Sequence, residues 1–272
     1  MKLRAFVFVC ALALSLLVPS FAVAAADAPA YYVSLGDSLA AGTQPDLAHP
    51  GQNLPFTNQS YTDDLYAFLH LRQPSLQHVK LGCPGETSAT LASGGLPFEG
   101  PGQLCNYPAG TQLAQALSVI AAHPGAIRLI TIDIGANDVL NLGPAAGAAQ
   151  IAANLPTILG SLRAAAGPGV PIIGMNYYDP RLVVWFADHS ALTGEIAAAV
   201  GFNDFLESIY AALGDPVADV ETAYRTTDTT LVRGTPLDVS VICTFTWMCS
   251  VQNIHPNALG YLVIAAAFER KL

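Results

Sequence analysis

A serine hydroxyl attacks a carbonyl carbon only once a neighbouring base takes its proton. Four short stretches of this chain hold the residue types that such an attack needs. The first is "VSLGDSLAAG", residues 33–42, where Ser38 stands two places after a glycine at the end of an apolar run. The second is "QNIHPNALGY", where His255 precedes Pro256 at the entrance to a helical segment and is available as the base. The developing oxyanion needs preorganised donors. "GCPGETS" and "GAND" offer them, through the backbone at Gly85 and the side chain of Asn137. Together these residues suit acyl transfer through a serine. Serine and asparagine in turns after strands also have a plainer reading as ordinary turn residues. The other five histidines, His49, His70, His78, His123 and His189, read as surface-loop residues.

A parallel sheet would bring the four stretches together. Residues 31–35 read as a buried strand, and "IRLITIDI" at 127–134 is a β-branched run that reads as a central one. Short strands are expected at 79–81, 170–175 and 217–220. Ser60 reads as an N-cap with an acid at N3, opening a helix that stops before Pro74. Further helices are expected over 111–122, over 147–166 with Pro156 as an interruption, over 192–213 and over 257–271. This alternation implies an α/β chain with a parallel sheet covered on both faces. In such sheets, sites form outside the carboxyl ends of the strands. Ser38 follows the first strand, Gly82 to Thr87 the second and Gly135 to Asp138 the third, so three polar turns fall on one edge.

Residues 1–26 read as a secretory signal peptide: Lys2 and Arg4, an apolar stretch over 5–18 that includes Cys10, and a cleavage site at Ala22-Val23-Ala24. Residues 27–272 then form a single domain with room for a substantial core. No later segment reads as long and apolar enough to cross a membrane. The full chain has 11 basic and 20 acidic residues. Loss of Lys2 and Arg4 brings the net charge to about −11, with no basic stripe for a nucleic acid. Cys83, Cys105, Cys243 and Cys249 remain. An even number in an exported chain favours disulfides over zinc, whose short Cys-x-x-Cys pairs are missing. Three pairings are open. Neighbour pairing, Cys83–Cys105 and Cys243–Cys249, is the most economical, the first bridge being worth about 3 kcal/mol in the chain-entropy model.

Gly36-Asp37-Ser38-Leu39, Gly85, Gly135-Ala136-Asn137-Asp138 and His255-Pro256 fall in the order of the four blocks of the SGNH/GDSL hydrolase family. The mature chain resembles the family's exported esterases and lipases, including "LGCPGETSAT", "YPAGTQLA" and "TWMC". The resemblance implies a flavodoxin-like α/β/α fold, with Ser38 as nucleophile and His255 as base. It also implies an oxyanion hole formed by the Ser38 and Gly85 N–H groups and the Asn137 side chain. One position departs from the pattern. The family's aspartate three places before the histidine is Gln252 here, followed by Asn253. The expected orienter is then a backbone carbonyl from the loop between Cys243 and Cys249, near Trp247, with the Gln252 amide or the distant Asp238 as alternatives. Leu182, Val184, Trp185 and Phe186 are candidates for an acyl pocket or small lid, although core packing explains such a run more often.

The function expected from this reading is exported hydrolysis of carboxylic esters of lipids or small alcohols. It would use an acyl-enzyme, no cofactor and no metal, in a monomer without a nucleic-acid partner or a membrane anchor after leader removal. The rivals are a carbohydrate O-deacetylase of the same family and a non-catalytic exported binding module.

Overall fold

The computed structural model describes residues 28–97, 99–100 and 102–272. The leader read at 1–26 lies outside them. In chain order the elements are β1 (Ala30–Gly36), α1 (Ser38–Ala41), the hairpin strands β2 (Gln44–Pro45) and β3 (Asn53–Leu54), α2 (Tyr61–His70), β4 (Leu76–Lys80), α3 (Ser88–Ser93) and α4 (Gln112–Ala122). They continue with β5 (Ile127–Asp133), α5 (Ala136–Leu142), α6 (Pro144–Ala166), β6 (Ile172–Met175), two 3-10 turns (Pro180–Phe186 and His189–Ala191) and α7 (Leu192–Leu213). The last are β7 (Val217–Ala218), α8 (Val220–Ala223), β8 (Leu231–Val232), β9 (Thr235–Pro236), α9 (Leu237–Phe245), α10 (Met248–Val251) and α11 (Ala258–Glu269).

Five strands pair in the order β4-β1-β5-β6-β7, all parallel. Helices cover both faces, which is the three-layer α/β/α arrangement expected. The winding reverses between β1 and β5, and doubly wound sheets bind ligands at that reversal. The turns after β1 and β5, which hold Ser38 and Asn137, flank it. The two strands are buried almost throughout: Val33, Leu35, Ile130 and Ile132 are inaccessible to solvent.

The β1–β5 register carries one irregularity. Tyr31 pairs with Ile127 but Tyr32 with Leu129, so Arg128 is an extra residue on β5. From there the register runs regularly to Gly36 opposite Asp133. Gly36 has φ +140°, and a Cβ on it would overlap the Asp133 carboxyl. Only glycine fits there.

Most expected elements lie close to where the sequence placed them, and the departures have physical causes. The α2 capping box forms as read, with Ser60 and Asp63 bonded reciprocally. β4 begins three residues before the expected 79–81, because an edge strand tolerates the polar Gln77 and His78 that an apolar-run criterion rejects. α6 runs through Pro156 unbroken. Proline removes one backbone bond, but Ile151, Leu155, Ile158, Leu159 and Leu162 pin the helix to the core on both sides of it. The expectation that no later segment is long and apolar enough to span a membrane is corrected. Residues His189–Leu213 meet that length and composition, with mean hydropathy 1.2. In the fold this helix is tied to the sheet layer by polar groups: Asn203 brackets the Tyr177 backbone at 2.9 and 2.8 Å, and Glu207 accepts from Asn176 at 2.7 Å.

Candidate active site

Ser38 is the first residue of α1 and half-buried. Asp37 caps that helix, its Oδ1 accepting the Leu39 N–H at 2.9 Å. The Ser38 hydroxyl is turned to Asp37 Oδ1 at 3.5 Å. The turn is fixed from behind by Gln112 at the start of α4. Its Oε1 accepts the Gly36 N–H at 2.6 Å, and its Nε2 lies 3.0 Å from Gly36 O, 2.9 Å from Glu86 Oε2 and 3.1 Å from the Tyr107 hydroxyl. One buried amide therefore joins the turn after β1 to the turn after β4. Sequence reasoning missed Gln112, because nothing local distinguishes it from any glutamine in the first turn of a helix.

Gly85 sits in the second turn with φ +80°, a conformation in which glycine is unstrained. Among the described residues neither the Ser38 nor the Gly85 backbone N–H has a protein acceptor. Asn137 is the second residue of α5, and its Nδ2 donates to Glu86 O at 2.9 Å and lies 3.3 Å from Asp37 Oδ2. Asp138 anchors the same turn: it accepts from Ser88 Oγ at 2.5 Å, the Ser88 N–H at 2.9 Å and Gln150 at 2.8 Å. The expected oxyanion donors thus converge on one sheet edge.

His255 lies in the loop before α11, and that loop packs against the chain just past α1. Gln44, just past α1, donates to Pro256 O at 3.1 Å and accepts the Trp247 indole N–H at 2.6 Å. The Tyr261 hydroxyl donates to Thr43 O at 3.0 Å. These bonds hold the histidine loop against the segment that follows Ser38. The orienter differs from every one expected. The imidazole Nδ1 is 2.8 Å from Asn253 Oδ1, which also accepts the His255 backbone N–H at 3.0 Å. Gln252 is exposed in a left-handed conformation, φ 55°, which turns its side chain away. The Trp247 carbonyl is occupied by the Val251 and Asn253 N–H groups and Ser250 Oγ. Asp238 lies at the start of α9 and accepts from its own neighbour, the Val239 N–H, at 2.7 Å. The asparagine forms an Asx-type turn, whose side-chain oxygen reaches the N–H two residues on. The Asn-x-His spacing was the available signal, hidden by the expectation of an acid three places upstream.

Burial lowers the His255 pKa from its usual value of 6.5 to about 4. The base must be neutral to accept a proton. Activity is therefore expected to rise with pH through about 4 and to be at plateau by pH 6.5. A kcat/KM profile on a soluble ester checks this, and an acid limb centred at 6.5 or above would contradict it.

The expected pocket segment is only partly available. Leu182 is fully buried in the core and cannot line an open pocket. Val184 and Trp185 are half-buried, Trp185 stacks on His189 at 4.2 Å, and Phe186 is 58% exposed. A surface groove lined by Asp219, Thr222, Arg225 and Arg270 lies elsewhere. Both disulfides form in the neighbour pairing, Cys83–Cys105 beside Gly85 and Cys243–Cys249 around Trp247.

A Ser–His–Asp group, separate from Ser38 and His255, lies inside the molecule. Ser34 Oγ lies 2.9 Å from His78 Nε2, and His78 Nδ1 lies 3.9 Å from Asp63 Oδ1. Ser34 is inaccessible to solvent in mid-strand, and His78 stacks on Tyr32 at 4.6 Å. It is a structural cluster, and it corrects the surface-loop reading of His78. The loop reading also fails for His70, which ends α2, for His123, which caps α4 and stacks on Tyr31, and for His189, which lies in a 3-10 turn. His49 fits it, in a turn with Asp46.

A doubly wound parallel sheet with Gly-Asp-Ser-Leu on the turn after β1 and a histidine loop facing it is the scaffold of the SGNH esterases and acylhydrolases. The profile of the GDSL-like Lipase/Acylhydrolase family matches residues 34–263. The chain belongs to that family. Among solved structures it is similar to a carbohydrate acetylesterase from Sinorhizobium meliloti, with 16% identity over 89% of this chain and 97% of that one and a TM-score of 0.53. It is also similar to an alpha/beta hydrolase enzyme from the metagenome of Lake Arreo, Spain, at 20% identity, covering 89% and 94% of the two chains with a TM-score of 0.51. An acetylxylan esterase from Geobacillus stearothermophilus matches at 19% identity, over 89% and 93%, with a TM-score of 0.51. These likenesses show the fold. Comparison with curated proteins gives no match.

Proposed function

We propose that this chain is an exported, monomeric ester hydrolase acting on carboxylic esters of lipids or small alcohols through an acyl-enzyme on Ser38. The observation that carries the proposal is that the turns of Ser38, Gly85 and Asn137 meet, with two open backbone N–H groups, while the loop of His255, its Nδ1 occupied by Asn253, is bonded to the segment after α1. With Nδ1–H donating to Asn253, Nε2 is left as the acceptor. The Ser38 hydroxyl turns from Asp37 to Nε2 and its oxygen attacks the ester carbon. The proton passes to His255, and the carbonyl oxygen takes the negative charge opposite the Ser38 and Gly85 N–H groups and Asn137 Nδ2. Collapse of the intermediate expels the alcohol, which takes the proton from His255. Water then attacks the acyl-serine, with His255 again the base, and releases the acid. No basic stripe invites a nucleic acid. Two disulfides suit an oxidising compartment.

Asn137→Ala is expected to lower kcat by about 10²–10³, the usual loss for one oxyanion donor, with a smaller change in KM. An unchanged kcat would make Asn137 an ordinary turn residue. Rates on p-nitrophenyl esters from acetyl to palmitoyl, with and without a fluorophosphonate, test the function itself. Inhibitable hydrolysis supports it. Activity confined to acetyl groups on sugars would indicate the deacetylase, and no hydrolysis and no labelling a binding module.

A further inference from the structure

The two backbone donors of the oxyanion hole come from turns on different strands. Ser38 follows β1 and Gly85 follows β4. The backbone bonds between those strands end at the Cys83 N–H and Gly36 O, 3.0 Å apart, and among the described residues none ties the two turns beyond that point. Side-chain amides tie them instead. Asn137 Nδ2 lies between Glu86 O at 2.9 Å and Asp37 Oδ2 at 3.3 Å, but a donor to the oxyanion must give up at least one of these. Gln112 has no such second duty. It is fully buried, as is Glu86. Its Oε1 accepts the Gly36 N–H at 2.6 Å, which fixes the orientation of the amide, because a flipped amide would set N–H against N–H. Its Nε2 shares its hydrogens among Gly36 O at 3.0 Å, Glu86 Oε2 at 2.9 Å and the Tyr107 hydroxyl at 3.1 Å. That hydroxyl places its own hydrogen on Leu81 O at 2.6 Å, so it too presents an acceptor to Gln112.

We propose that Gln112 is a positioning residue that sets the spacing of the Ser38 and Gly85 N–H groups: its amide holds Gly36, two residues before Ser38, and Glu86, next to Gly85, as one unit. Gln112 touches neither substrate nor nucleophile and acts through the two turns. Breaking either link would leave a buried polar group unpaired, so the spacing is kept while Asn137 turns to the oxyanion. The inference rests on the ester-hydrolase reading.

The test measures the thermal midpoint, and kcat and KM on p-nitrophenyl butyrate. Gln112→Met keeps the length of the side chain and removes its polar bonds. It is expected to lower kcat by about thirtyfold, less than outright loss of an oxyanion donor, with KM within about threefold. Asn203→Leu is the control for lost stability alone. Asn203 clamps Tyr177 with the same three kinds of bond, to its N–H at 2.9 Å, its carbonyl at 2.8 Å and Glu221 Oε2 at 2.7 Å. Its loss is expected to lower the midpoint likewise and to keep kcat within about threefold. Glu86→Met cuts only the link to the second turn and is expected to lower kcat by about tenfold. Glu86→Gln keeps an acceptor for Gln112 and is expected to stay within about threefold of the wild type. This pair decides the matter if Gln112→Met does not fold. A folded Gln112→Met with wild-type kcat overturns the inference. So does an equal loss of kcat in Asn203→Leu, or a Glu86→Met no slower than Glu86→Gln. Absence of ester hydrolysis in the wild-type chain removes the ester-hydrolase reading, and the inference with it.

Discussion

Ser38→Ala is expected to lower kcat on p-nitrophenyl esters by about 10⁶, the loss seen when a hydrolase loses its serine nucleophile. The fold should survive, because Asp37 still caps α1 through the Leu39 N–H and Gln112 still clamps Gly36. The wild-type chain should take one fluorophosphonate, on Ser38. Peptide mapping reads this directly. Ser34 offers a control inside the same molecule: it is bonded to a histidine at 2.9 Å but has no access to solvent. Label on any serine but Ser38, or full activity in the alanine variant, would end the acyl-enzyme account.

Asn253→Ala is expected to be as damaging as loss of the Asn137 oxyanion donor. It removes the acceptor at 2.8 Å from Nδ1, and the ring is then free to adopt the tautomer that points a hydrogen at Ser38. Replacing the triad carboxylate in a well-studied protease costs about 10⁴. A neutral amide does less for an imidazolium, so we expect a loss of about 10²–10³ in kcat. Asn253 also donates to Asn53 at 2.8 Å, so part of any loss is loop disorder. Asn53→Ala measures that part alone. Asn253→Asp keeps both acceptor bonds, adds a charge and should raise kcat. Gln252→Ala should stay within about tenfold, under 1.4 kcal/mol of barrier. A larger loss from Gln252 than from Asn253 would reverse the assignment.

The sequence made the outline of the site readable because its parts are local. Gly-Asp-Ser-Leu ends an apolar run, Gly-Ala-Asn-Asp ends another, and strand–helix alternation puts both turns on one edge. The unread parts depend on distant pairings. Gln112 lies 76 residues from the Gly36 it clamps, and Asp133 is separated from the Asp37 it bonds by 96. No window of sequence contains either pair. His78 failed for a related reason: its polarity suggested a loop, whereas stacking on Tyr32 and a bond to Ser34 satisfy it inside the sheet. The orienter was missed by one residue, because the left-handed turn at Gln252 moves the useful side chain to Asn253.

The extra residue at Arg128 has a reach that its exposed position hides. Carried forward without it, the pairing that begins at Tyr31 and Ile127 would set Ile132, not Asp133, opposite Gly36. A slip of one residue sends each side chain of a strand to the other face. The irregularity lies five residues before Asp133, about 16 Å away along the strand. In a sequence alignment it would appear as a single-residue gap at the solvent end of a strand, the kind usually ignored. In this chain that one residue decides whether an acid or a hydrocarbon stands opposite Gly36, two residues before the nucleophile.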